Sequence, residues 1–114
     1  MIIYYLANNS NACDFINRDI NICVISRITY YEVLNYNFTP NQEKNVKLFL
    51  ELFTIIELTK EIIDKALLNR KVKKIKMGDN FILATAQINN LLIVTNNEKD
   101  FRDFIETVNP ICVL

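Results

Sequence analysis

Three carboxylates, Glu32, Asp79 and Asp100, are the residues whose type and placement point to chemistry. Each stands near a point where an apolar run gives way to a helical segment or the reverse. Parallel sheets place ligands just beyond the carboxyl ends of their strands, so acids at such junctions can converge on one edge. A converging set of carboxylates would hold Mg²⁺ or Mn²⁺, which prefer hard oxygen ligands. An ion held there can generate hydroxide from bound water and steady phosphate oxygens during a displacement. The chain has no histidine. That excludes Ser-His and Cys-His nucleophilic chemistry and acid-base catalysis by imidazole. Hydrolysis by this chain must therefore rest on carboxylates, with a metal ion as the natural partner.

Each acid also has a bland explanation. Thr29-Tyr30-Tyr31-Glu32 reads as a capping box, in which Glu32 would serve the helix start. Asp79 is a good N-cap in its own right. Asp100 with Asp103 suits the first turn of a short helix, where negative charge meets the positive end of the dipole. Taken one at a time, capping is the better explanation of every one of them; only their joint placement favours a site.

The elements that must position these acids follow from pattern. The chain has 114 residues, 51% of them apolar, with 13 basic and 13 acidic side chains and a formal charge of zero. This fits one domain, residues 1–114, with a real core. Ile20 to Ser26 reads as a short β-branched strand, and Ile28 to Tyr36 has helical spacing. Pro40 opens a helix to about Leu52, with Val46, Phe49, Leu50 and Phe53 as its apolar stripe. Phe53 to Leu58 is a second strand. Thr59 to Val72 is helical, with Ile62, Ile63, Ala66 and Leu67 expected inward. Gly78 breaks the chain, and Asp79 to Asn90 forms a helix whose Ala84, Thr85 and Ala86 allow close packing. Leu91 to Thr95 is a continuous apolar run, as in a strand covered on both faces. Asp100 begins a short helix, and Pro110 to Leu114 suits an edge strand. Met1 to Leu6 fits a strand or a buried helical turn equally well. The expected architecture is α/β, a three-layer α/β/α sandwich with a mainly parallel sheet.

The joint placement of the acids is similar to that of a known family. Val24 to Leu34 (V-I-S-R-I-T-Y-Y-E-V-L) resembles the PIN-domain stretch in which a strand ends in serine and a helix brings in the second acid. Met77 to Ala86 (M-G-D-N-F-I-L-A-T-A) resembles the family's third-acid motif. Leu91 to Phe101 (L-L-I-V-T-N-N-E-K-D-F) is similar to the strand and turn that carry the last acid in VapC toxins. The resemblance implies a Mg²⁺- or Mn²⁺-dependent endoribonuclease, usually the toxin of a toxin–antitoxin pair, with RNA as substrate, a cognate antitoxin as partner and often a homodimeric state. It implies Glu32, Asp79 and Asp100 as the acids that bind metal and catalyse. Asn97 would ligate through water, and Thr95 and Ser26 would be hydroxyls that orient carboxylates or water.

The resemblance departs at the start. The family opens with a short strand ending in D-T-N or D-S-N; Met1 to Asn9 aligns with the helix after that aspartate, so the PIN-like domain is expected to be N-terminally truncated. Asp14 falls within the following helix and is a poor substitute. A start codon further upstream, an inactive truncated relative, and recruitment of Met1 to Leu6 as a strand remain three open explanations. With one acid fewer, low or absent ribonuclease activity is expected. The alternative function is a catalytically inactive PIN-like protein that keeps the surfaces for dimerisation or antitoxin binding.

The remaining features have mixed readings. Arg70, Lys71, Lys73, Lys74 and Lys76 form the one basic cluster. It reads first as the solvated basic end of a helix and second as a contact for RNA phosphates. Tyr4, Tyr5, Tyr30 and Tyr31 read first as core or dimer packing and second as stacking platforms for bases. Phe101 and Phe104 are expected in the core. Cys13, Cys23 and Cys112 are widely spaced and read as small core residues, not a zinc site. Apolar stretches far short of the roughly 20 residues of a membrane helix, and the lack of a basic lead-in, give a cytoplasmic expectation with no membrane partner.

Overall fold

The computed structural model describes residues 10–20, 23–95 and 97–108. They fall into two compact units, one running to Glu57 and one from Leu58. The expected Met1–Leu6 and Pro110–Leu114 elements, with Tyr4, Tyr5 and Cys112, lie outside the described residues.

In the first unit the order is α1 (Ser10–Asp19), β1 (Val24–Ser26), α2 (Arg27–Leu34), α3 (Pro40–Leu50) and β2 (Thr54–Ile56). β1 and β2 pair in parallel, Val24 with Thr54, Ile25 with Ile55 and Ser26 with Ile56. Of the strand expected over Ile20 to Ser26, Val24–Ser26 is strand, Ile20 stands in a turn after α1 and the Cys23 N–H bonds the Asp19 carbonyl at 3.1 Å, while Asn21 and Ile22 lie outside the described residues. α3 starts where sequence placed it. Pro40 occupies its first turn, and Thr39 and Gln42 exchange both bonds of a capping box at 3.2 and 3.0 Å. Val46, Leu50 and Phe53 of the expected stripe are buried, Leu50 completely, and Phe49 packs edge-on against the Phe53 ring at 5.4 Å. In α2 the buried residue is Val33. Tyr31 is exposed, and Tyr30 lies beneath the Arg27 guanidinium at 4.7 Å, so neither tyrosine is a core residue. Cys13 and Cys23 are half-buried, at the margin of the core and not within it.

The second unit contains α4 (Lys60–Val72), α5 (Met77–Ile88), β3 (Ile93–Val94), α6 (Glu98–Phe101) and β4 (Thr107–Val108). β3 and β4 are again parallel, Ile93 opposite Thr107 and Val94 opposite Val108. Leu83, Ala86, Ile93 and Phe101 form a buried cluster on which Leu91, Phe104 and Ile105 pack, which puts both phenylalanines where they were expected. Thr59 caps α4 through the Ile62 N–H at 3.3 Å. α5 ends in a Schellman motif. Asn90 takes the left-handed conformation (φ 55°), the Leu91 N–H reaches the Ala86 carbonyl at 2.9 Å, and the Asn90 N–H reaches Gln87 at 3.3 Å. That turn sends the chain straight into β3.

The α/β class with parallel strand pairing is as expected. The inward face of α4 is not. Ile62 and Ala66 are buried, but Ile63 and Leu67 are exposed, and Asn69 is buried instead. The reason is polar. The Asn69 amide donates to Asn80 at 3.2 Å and to Gln87 at 2.7 Å, and Asn80 donates to the Ala66 carbonyl at 2.8 Å. This amide network rotates α4 so that Asn69 faces α5. Among the described residues, no helix is long and apolar enough to cross a membrane.

Candidate functional site

Asp79 is not the N-cap of its helix. α5 begins at Met77, with Lys76 at the cap position and no side-chain cap bond, so Asp79 sits in the first turn and Gly78 lies inside the helix. Its carboxylate favours the helix dipole from there, but the capping explanation fails. Burial pushes the Asp79 carboxyl above the ordinary carboxylate range, the negative charge of Asp100 pushes it further, and Lys76 opposes both. Asp79 and Asp100 therefore share one electrostatic neighbourhood, and both are half-buried.

Asp100 lies in the first turn of α6, as the bland reading expected. It is also held from outside the helix. The Asn97 side-chain amide donates to Asp100 Oδ2 at 2.6 Å. The Thr95 hydroxyl oxygen in turn accepts the Asn97 backbone N–H at 2.9 Å. A chain of two bonds thus runs from the end of β3 to the Asp100 carboxylate. Thr95 fixes the backbone of the residue that orients the acid.

In the first unit, Ser26 ends β1 and is buried. Its hydroxyl oxygen accepts the Thr29 N–H at 3.1 Å and lies 3.4 Å from the Thr29 hydroxyl. Ser26 is therefore the N-cap of α2, and the capping box expected from Thr29 and Glu32 does not form. Glu32 lies on the exposed surface of α2, in its second turn, and the capping role proposed for it is gone. Sequence reading missed Arg27, which follows Ser26. Its guanidinium binds Glu57 through Nε at 2.9 Å and through a second nitrogen, linking the ends of β1 and β2 and holding the Glu57 carboxyl below its ordinary range. The signal was an arginine directly after one strand and a glutamate directly after the other.

Two carboxylates and the Asn97 amide make a donor set suited to a hard divalent cation. The raised Asp79 carboxyl fits the same idea, because two neighbouring negative charges at a half-buried place are relieved by a proton or a cation. Among the described residues, no group of three or more His, Cys, Asp or Glu side chains is placed to hold a metal ion. Of the basic cluster, Arg70 and Lys71 lie in the last turn of α4, where the dipole favours them. Lys73 bonds Asp103 at 3.2 Å and the Lys99 carbonyl at 3.4 Å. A shallow depression along α3, lined by Pro40, Glu43, Lys44, Lys47, Leu48 and Glu51, contains none of the expected site residues.

A family model described as PIN domain matches residues 1–106. The chain belongs to the PIN-domain family. Among solved structures it is similar to a toxin–antitoxin complex from Klebsiella pneumoniae, at 30% identity with a TM-score of 0.86, over 96% of this chain and 91% of that one. A DNA-bound VapBC from Salmonella typhimurium matches at 19% identity and a TM-score of 0.80, over 96% of this chain and 91% of that one. VapBC-1 from nontypeable Haemophilus influenzae matches at 21% identity and a TM-score of 0.73, over 96% and 92%. The last two likenesses speak for the fold alone. Comparison with curated proteins gave no significant match. The PIN-domain match spans both compact units, and so takes in Glu32, Asp79 and Asp100 together.

Proposed function

We propose that this PIN domain is a metal-dependent endoribonuclease of the VapC toxin type. The observation that carries the reading is the Asp100 carboxylate just beyond β3, steered by the Asn97 amide at 2.6 Å, with the half-buried Asp79 in its field. The Asn97 bond is not needed to start a helix. Membership of the PIN family and the toxin–antitoxin neighbours support the same reading. Asp79 and Asp100 would hold Mg²⁺ or Mn²⁺, with Glu32 as the third acid. A divalent ion there supplies an activated water and charge for the phosphate oxygens. Asn97 and Thr95 keep the Asp100 carboxylate in one orientation, and Ser26 anchors the start of the helix that carries Glu32. We assign RNA as the substrate, a cognate antitoxin and a second copy of the chain as partners, the cytoplasm as the location, and residues 1–114 as one domain.

A second reading is a catalytically inactive PIN-like protein that retains only its dimerisation or antitoxin-binding surfaces. It keeps the PIN fold and its surfaces and gives up the metal chemistry. One experiment separates the two. The chain is incubated with a panel of structured RNAs and Mg²⁺ or Mn²⁺, beside Asp79→Ala and EDTA controls. The endoribonuclease reading expects cleavage that falls about 100-fold or more in Asp79→Ala and disappears with EDTA. Cleavage no greater than that of Asp79→Ala leaves the inactive reading in its place.

A further inference from the structure

Arg27 and Glu57 directly follow the two strands of the first parallel pair, at the carboxyl end where a parallel sheet receives its ligands. The Arg27 guanidinium bonds Glu57 through Nε at 2.9 Å and through a second nitrogen, so its plane is fixed. Tyr30 supports one face of that plane, with Cζ of Arg27 4.7 Å from the ring centre. The Arg27 side chain is nonetheless 40% exposed, which leaves the opposite face open. As a structural tie the pair does little, because ion pairs this exposed add little to stability. Tyr31 is 62% exposed. It stands four residues after Arg27, the spacing of neighbours on a helix surface. At about 3.6 residues per turn it falls between Arg27 and Glu32 around the exposed side of α2. A fixed guanidinium plane and an exposed phenol ring therefore lie side by side, next to the acid that α2 carries.

We propose that Arg27, with Tyr30 behind it and Tyr31 beside it, is a stacking subsite for a nucleobase of single-stranded RNA. Unpaired bases are held on aromatic rings and on arginine planes, whereas in a double helix their faces are already covered. A phosphate is the poorer occupant. Glu57 takes two of the guanidinium donors, offsets its charge, and sets a carboxylate where phosphate oxygens would be repelled. A base has no charge to be repelled and needs only a flat surface of fixed orientation. The ion pair and the tyrosine prepare that surface, because they remove the side-chain freedom that a base would otherwise have to remove on binding. The subsite deepens the proposed ribonuclease function and rests on it for the choice of RNA. It supplies what a cluster of carboxylates lacks, a contact with the base itself.

The test is fluorescence anisotropy on the full chain in EDTA, where binding is read without cleavage. The probes are labelled oligoadenylate and an abasic ribose-phosphate strand of the same length, with circular dichroism to check that each variant is folded. The wild type is expected to bind oligoadenylate about tenfold more tightly than the abasic strand. Arg27→Lys, which keeps the charge and loses the plane, and Tyr31→Leu should each remove most of that preference and leave the affinity for the abasic strand unchanged. A wild type that binds both strands alike, or neither, overturns the subsite. So does a preference that Arg27→Lys leaves intact. Arg27→Gln weakening both strands equally, with a shallower salt dependence, makes Arg27 a phosphate contact and overturns the stacking role. The RNA cleavage assay is independent of these outcomes. Cleavage without base-dependent binding overturns the subsite alone, and base-dependent binding without cleavage overturns the ribonuclease reading alone.

Discussion

α3 and α5 start in opposite ways. Thr39 closes the first turn of α3 with a reciprocal capping box, and Pro40 follows it. α5 starts at Lys76 with no side-chain cap bond, and its first turn holds Asp79. What holds α5 in place is lateral, the buried amides of Asn69 and Asn80 with the half-buried amide of Gln87, which tie it to α4. One helix is set by its own sequence, the other by its neighbour. An acid in the first turn of a capped helix would be a redundant contribution to the dipole. In α5 Asp79 stands in an uncapped first turn, half-buried and in the field of Asp100.

The contrast can be broken by mutation. Asn69→Ala removes the donor that Asn80 and Gln87 both use, and leaves the amide oxygen of buried Asn80 unpaired. We expect it to cost about 1–3 kcal/mol in a urea unfolding titration. Thr39→Ala should cost about 1 kcal/mol, because exposed amides at the start of α3 can turn to water. If Thr39→Ala proves the more damaging of the two, the lateral clamp does not hold α5 as argued.

The smallest effect concerns pH. The folded protein raises the Asp79 carboxyl above its unfolded value, mainly by burial and then through Asp100. Ionised Asp79 therefore opposes folding at neutral pH. The penalty is fully present above the folded pKa and is lifted as pH falls through it. Asp79→Asn should raise Tm slightly at pH 7 and leave it unchanged in acid below the unfolded pKa. Mn²⁺ should raise Tm in the wild type and not in Asp79→Asn, by mass action on the folded state. A Tm for Asp79→Asn below wild type at pH 7 without metal would contradict the direction of this shift.

Much of the fold was legible because its causes are local. Thr39-Pro40 with Gln42 specifies a helix start whatever surrounds it, and the 3.6-residue spacing of Val46, Leu50 and Phe53 specifies which side turns inward. The strand ends at Ser26 and Thr95 pointed to acids nearby, and of these the structure brings Asp79 into the field of Asp100. Their roles were less legible. Ser26 and Thr29 both offer a cap to overlapping stretches of chain, and Ser26 prevails because β1 runs in register with β2 as far as Ile56 and the helix must begin at once.

By itself the sequence determined the α/β class, the order of elements from β1 to α6 and the place of Phe101 and Phe104 at the core, while α1 (Ser10–Asp19) and β4 (Thr107–Val108) were not read from it. Only the tertiary structure decided which face of α4 is inside. Ile62, Ile63, Ala66 and Leu67 offer apolar surface over more of the helix than one neighbour can cover. The buried amide of Asn69 settled the rotation, because it had to meet Asn80 and Gln87 to satisfy its hydrogen bonds. The pairing of Asp79 with Asp100 was likewise decided in three dimensions, since their charges meet only after α5 has turned through Asn90 and β3 has led into α6.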